Sequence, residues 1–316
     1  MSTTETSELQ TRHISAVITE TAIFSLVMIL SLLGNLLVCY VVYRNPRLRL
    51  PINYYIISLA LTDILQASCT MPLSVAFLAT GEWSFGAATC SFDAIMKISL
   101  AKASTFNMAL MAMNRYCKIV KPTKYQTIFK PRYIVITALL AWSIPFTFAF
   151  LSVFGLHQET RPNSGFALCV IVFDLSSNPV ILVLMYTPYF VLVFCYWKIY
   201  KQVKMHNGNV SWQSSKVADV KISKTLFATV IGYFSFFMPA HIIFTVSKFA
   251  DYSYFPRYLS LLASLFIFMT SCINPFIYGY MNRAFKTEFK KWLIPKRVHS
   301  VKTVYLKNRI DIAGRD

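Results

Sequence analysis

Seven stretches of mostly apolar residues, each about 20 or more long, limit what this chain can fold into more than any motif does. An α-helix rises about 1.5 Å per residue, so about 20 such residues cross a hydrocarbon layer about 30 Å thick. The stretches fall at roughly 17–43, 53–79, 90–117, 133–156, 178–200, 222–249 and 257–281. Their apolar runs are continuous, whereas the strands of a membrane barrel would be short and alternating. The sequence therefore predicts an all-α membrane protein, a seven-transmembrane helix bundle. Pro72, Pro145, Pro188, Pro239 and Pro275 lie inside these spans, where a buried bundle tolerates the kinks they impose.

Charge agrees with this reading. Only 14% of the 316 residues are charged, and the mean hydropathy is +0.51. Soluble domains carry about 25% charged residues, so the chain lacks the polar material to cover a water-facing surface. This leaves a channel, a transporter, a membrane enzyme or a receptor. The net charge of +18 would point to nucleic acid in a soluble protein, but its placement argues otherwise. Arg44, Arg47 and Arg49, then Lys118 to Arg132, then Lys198 to Lys224, and the tail from Arg283 onward all fall on one side of the bundle. The other side keeps Arg12, Arg161, Lys248 and Arg257, with Glu5, Glu8, Glu20, Glu82, Glu159, Asp174 and Asp251. The positive-inside rule then sets the N-terminus outside and the C-terminus in the cytoplasm. The lipid bilayer is the expected partner, and nucleic acid is not. No basic segment precedes the first span, so no removable signal peptide is expected. Asn209-Val210-Ser211 fits a glycosylation pattern but falls in an inner loop. The predicted organisation is an extracellular N-terminus at 1–16, a helical domain at 17–293 that closes with a short amphipathic helix, and a cytoplasmic tail at 294–316. That helix interleaves Phe285, Phe289 and Trp292 with Lys286, Lys290 and Lys291, which suits the membrane interface.

Polar groups inside the spans are costly and each needs a reason. Asn35, Asp63, Ser104, Ser271 and Asn274 fall at similar depths. Their spacing fits either a small cation such as sodium or a hydrogen-bond cluster that joins helices. Arg115, near the inner end of the third span, either snorkels or pairs with Asp219 as a latch between two helices. Asp93 and Lys97 are one helical turn apart and can neutralise each other; otherwise Lys97 would attract a carboxylate or phosphate. Lys102, five residues on, is expected to face elsewhere. Cys90 and Cys169 are the cysteines assigned to the oxidising outer side, and they are expected to pair. The five histidines are scattered, so no metal site or catalytic cluster is predicted and the chain does not read as an enzyme. A pump would need a relay of carboxylates through the span, yet only Asp63 is deep. A transporter or pump remains the rival reading.

Several ordered motifs carry a resemblance. They include Gly34-Asn35, Leu59-Ala60 leading to Asp63, Trp83, Cys90 with Cys169, Arg115-Tyr116, Trp142, Pro188 with Tyr196, Pro239, and Asn274-Pro275-Phe276-Ile277-Tyr278. Over roughly 17–293 the chain resembles the rhodopsin-like (class A) G-protein-coupled receptors. The resemblance implies an extracellular ligand, a heterotrimeric G protein as partner, and an allosteric sodium ion at Asp63, Ser104 and Asn274 in place of any other cofactor. It implies that Arg115 meets the G protein, with Tyr196 and Tyr278 in support. Departures from the family pattern are Asn114 where an acid usually restrains the arginine, Phe237 for the sixth-helix tryptophan, and Pro188, Thr105 and Tyr233 as the packing triad. Phe268 stands where opsins carry their retinal lysine, and Lys97 where amine receptors carry an aspartate. By the family's pocket location, Lys97, Phe237, His241, Phe244, Ser264 and Phe268 line the ligand cup. Asn114-Arg115-Tyr116 and Tyr278-Gly279 are somewhat similar to melatonin receptors, and a peptide ligand is the other expectation.

Overall fold

A computed structural model describes residues 12–172, 179–206, 214–249 and 255–293. The remaining N-terminus, the tail at 294–316, Asn209-Val210-Ser211, Asp174 and Asp251 lie outside the described residues, as do the side chains of Arg47, Lys216, Lys248 and Trp292. In chain order the helices are α1 (Ile14–Arg44), α2 (Pro51–Thr80), α3 (Gly86–Val120), a short α4 (Pro122–Ile128), α5 (Pro131–Gly155), α6 (Pro179–His206), α7 (Ser214–Phe249), α8 (Arg257–Met281) and α9 (Arg283–Leu293). A hairpin of β1 (Thr160–Asn163) and β2 (Leu168–Ile171) joins α5 to α6. Each predicted span is a helix. The largest difference is α7, which starts at Ser214 rather than near 222 because a helix continues past the apolar boundary into water.

The bundle is apolar on the outside as well. Leu26, Leu33, Leu139, Phe190 and Val193 are exposed, as lipid-facing residues must be. Among the described residues, α1, α2, α5, α7 and α8 are long and apolar enough to cross a membrane. The 35-residue α3 is more polar because it is the hub, packed against α2, α5, α6, α7 and both strands. It buries Asp93, Lys97, Ser99, Ser104, Thr105, Asn107, Asn114 and Arg115. The two ends of the bundle are called outer, at Cys90, and inner, at Arg115.

Proline is accommodated by local devices. Before Pro72, α2 opens into one π turn over Gln66–Thr70, where the Met71 amide donates to the Gln66 carbonyl. Pro275 cannot donate to the Ser271 carbonyl, and Asn35 on α1 donates to it instead through Nδ2 at 3.0 Å. That bond needs α1 close to α8. Gly34 permits it, since a Cβ there would lie 2.9 Å from Pro275 Cγ.

At the outer end Cys90 and Cys169 form a disulfide, as expected. Ser91 and Thr160 share a hydroxyl hydrogen bond of 2.7 Å, so the hairpin is fixed to α3 twice. The hairpin tip turns into the bundle. Ala167 adopts a left-handed φ of 52°, a conformation that costs an L-residue about 1–2 kcal/mol. Burial of Phe166 against Phe244, with centroids 4.2 Å apart, offsets that cost. A second outer clamp was not foreseen. Glu20 on α1 accepts two bonds from Arg257 of α8 and one from Arg12, all 2.7 Å, while Arg12 also donates to the Leu78 carbonyl of α2 at 2.6 Å. At the inner end Phe285 packs on Tyr278 and Phe289 on Phe285, and both enter the core. The apolar side of the amphipathic α9 thus docks on the bundle through these two rings. Lys290 and Lys291 are exposed.

Glu20→Ala is expected to lower stability by about 1–3 kcal/mol, because it leaves two part-buried guanidiniums without their acceptor. Replacing Cys90 and Cys169 together by alanine is expected to cost about 2–5 kcal/mol. Thermal unfolding of the purified chain in lipid nanodiscs reads both, and an unchanged midpoint in either variant would contradict the assigned clamp.

Candidate functional site

The buried polar residues of α3 form successive layers from Asp93 to Arg115, a rise of about 33 Å at the helical repeat. The outermost is the Asp93–Lys97 pair. Its N···O distance is 2.7 Å, and both side chains are almost wholly buried. Asp93 also accepts from the Cys169 amide at 3.2 Å, so the carboxylate ties Lys97 to the hairpin. Lys97 is thus neutralised internally.

The next layer holds the expected cup, rearranged. Phe237 stacks on Tyr233 at 5.2 Å and lies 5.6 Å from the His241 ring, so these belong together. Phe244 caps the hairpin tip at Phe166. Ser264 is buried and donates to the Phe166 carbonyl at 2.7 Å. Phe268 turns away from the cup and meets Phe24 of α1 at 5.6 Å. The expectation that Ser264 and Phe268 line one cup with Phe237 is therefore corrected. Lys102 takes their place: its ammonium lies 5.3 Å from the Tyr189 centroid and 5.7 Å from that of Phe237. Below it Thr105 and Tyr233 share a hydroxyl hydrogen bond of 3.0 Å that joins α3 to α7.

The middle layer surrounds Asp63, which accepts from Asn274 Nδ2 at 2.9 Å. Ser104 shares a hydroxyl hydrogen bond of 2.7 Å with Thr62 in the same layer. The amide oxygens of Asn35, Asn107 and Asn274 are buried without a hydrogen-bond partner. A carboxylate with unpartnered carbonyl oxygens is a donor set that suits a hard cation such as sodium.

The innermost layer contains Arg115, 3% exposed. Its Nη1 reaches Asp219 at 3.5 Å, and its Nε and Nη2 donate to Asn114 Oδ1 at 3.2 and 2.6 Å. The expectation that Asn114 removes the local restraint is corrected, because a neutral amide oxygen accepts both bonds. The hydroxyls of Tyr196 and Tyr278 are buried in the surrounding core with no partner. Tyr116 faces α6 and contacts Phe194 at 5.9 Å.

Residues 34–278 match the family "7 transmembrane receptor (rhodopsin family)". The chain belongs to this rhodopsin family of seven-transmembrane receptors. The histamine H2 receptor of Homo sapiens is 27% identical over 87% of this chain and 79% of its own length. The melatonin receptor type 1A of Mus musculus is 27% identical over 84% and 77%. The crystal structure of squid rhodopsin shares the fold, with a TM-score of 0.78 and 19% identity over 91% of this receptor and 89% of that chain. The similarity to melatonin receptors is therefore matched by that to a histamine receptor. A transporter or pump is not favoured.

Sequence reasoning missed Phe166, Tyr189 and the placement of Lys102. Their signals were a loop phenylalanine, a tyrosine beside Pro188 and a lysine with no carboxylate at helical spacing. In this receptor Asp93→Asn is expected to cost about 3–5 kcal/mol, since it strands the Lys97 charge, and adding Lys97→Met should recover most of the loss. Melting curves of the two variants check this, and an additive double variant would refute internal neutralisation.

Proposed function

We propose that this receptor sits in the plasma membrane with its N-terminus outside, binds an extracellular ligand in the layer around Phe237 and His241, and activates a heterotrimeric G protein at its inner end. The observation that carries the reading is the state of Arg115. It is buried, tied to Asn114, and bridged to α7 by a 3.5 Å contact with a part-exposed Asp219. Such a latch is strong enough to hold and weak enough to release. When α7 leaves α3, Arg115 is freed to meet the G protein, and the unpartnered Tyr196 and Tyr278 hydroxyls supply new acceptors near it. Pro275 and the Asn274–Asp63 bond place a joint in α8 at the same height, so motion there is felt at Tyr278.

Signalling of this kind needs no covalent chemistry. A ligand must bind the open arrangement better than the closed one, by about 1.4 kcal/mol for each tenfold shift in population. Sodium would favour the closed arrangement by joining Asp63 to the free oxygens of Asn35 and Asn274. The relatives named for histamine and melatonin raise a small aromatic ligand. A protonated amine is disfavoured, because Lys102 presents the wrong sign of charge.

Arg115→Ala is expected to abolish G-protein nucleotide exchange, whereas Asp219→Asn is expected to raise basal exchange. Equal exchange in wild type and both variants would overturn the latch. Asp63→Asn should remove the effect of sodium chloride, relative to potassium chloride, on basal exchange. A sodium effect that survives would place the cation elsewhere.

A further inference from the structure

Lys102 is a cation inside the membrane layer, and among the described residues no Asp or Glu pairs with it. An unpaired intramembrane charge is expensive and marks a binding function more often than packing. Its surroundings are those of a small site. The rings of Tyr189 and Phe237 stack at 5.8 Å and wall the ammonium on two sides. His241 borders Phe237 and lies 6.3 Å from Tyr186. The Tyr189 hydroxyl is buried next to the Thr105 and Tyr233 hydroxyls. The site thus offers a cation with no carboxylate beside it among the described residues, a phenol hydroxyl and aromatic walls. Lys97, by contrast, has its charge met by Asp93 at 2.7 Å and has nothing left to offer.

We propose that Lys102, with Tyr189 and the wall of Phe237, is the anion subsite of the outer pocket, and that the receptor takes a small aromatic carboxylic acid. The proposal deepens the receptor reading and rests on its pocket. The carboxylate pairs with Lys102 and accepts from the Tyr189 hydroxyl, in surroundings where a charge-assisted bond is strong. The ligand ring then lies against Phe237 and His241. Phe237 in turn stacks on the Tyr233 ring that bonds Thr105, so occupancy is placed to bear on the link between α3 and α7.

The test uses the purified full chain in nanodiscs, with benzoate and phenylacetate at millimolar concentration against the matched amines benzylamine and phenethylamine. Both acids are expected to raise the melting temperature, and neither amine should. Lys102→Met is expected to weaken the acid shift about tenfold or more, with Lys102→Gln as a second variant should the first not fold, while Lys97→Met should keep it. Without ligand, Lys102→Met should melt higher than wild type, since a stranded charge is gone. No shift with either acid, an equal shift with the amines, or a shift that survives in both Lys102 variants would overturn the proposal. Basal nucleotide exchange on the same samples separates the two readings. Exchange without acid binding sinks the anion subsite alone. Acid binding through Lys102, with no exchange under any condition, sinks the receptor mechanism and leaves the subsite standing.

Discussion

Hydrocarbon offers no hydrogen bonds, so a polar group that enters the bilayer is costly unless it turns inward to the bundle. This requirement arranges the molecule. It sends leucine, isoleucine and phenylalanine outward and draws Asp63, Asp93, Lys97, Asn114 and Arg115 onto the central α3 or against it. It also explains the bond from Asn35 to the carbonyl that Pro275 leaves free. A side chain on α1 completes the backbone of α8, and this amide adds to the Glu20–Arg257 clamp in holding the two helices together.

The fold was legible because hydropathy over some twenty residues is a cumulative signal, and one misplaced residue does not erase it. The polar layers were legible in composition but only partly in contact. Lys102 lies five residues after Lys97, about 140° round the helix, so a one-face reading sends it away from the pocket. Because α6 and α7 wrap α3 on that side too, the rotated position is still interior. Asn114 misled through chemistry rather than position: a missing charge suggested a missing restraint, yet the amide oxygen accepts two bonds from Arg115. Phe166 carried no periodic signal at all, since it sits in a turn whose direction is set by the disulfide and by the Asn163 side chain accepting its amide.

Among the described residues, polar links join α3 to α7 at Thr105 and Tyr233 and at Arg115 and Asp219. They stand at different heights on the same pair of helices. A tilt of α7 must strain both together, which gives the outer and inner ends a common mechanical element. The buried hydroxyls of Tyr196 and Tyr278 lie beside the lower link with their hydrogen bonds unmade, so the inner core holds bonding capacity that this arrangement does not use.

The hairpin tip has a bearing on kinetics. The Phe166 ring is pressed on Phe244, its carbonyl is held by Ser264, and the strand behind it is bound covalently to α3. If the ligand binds below this tip, as proposed, a molecule coming from the aqueous side meets it first, and its arrival is slower the more firmly these contacts hold. Departure faces the same barrier, and a weakly held molecule would still dwell for a long time.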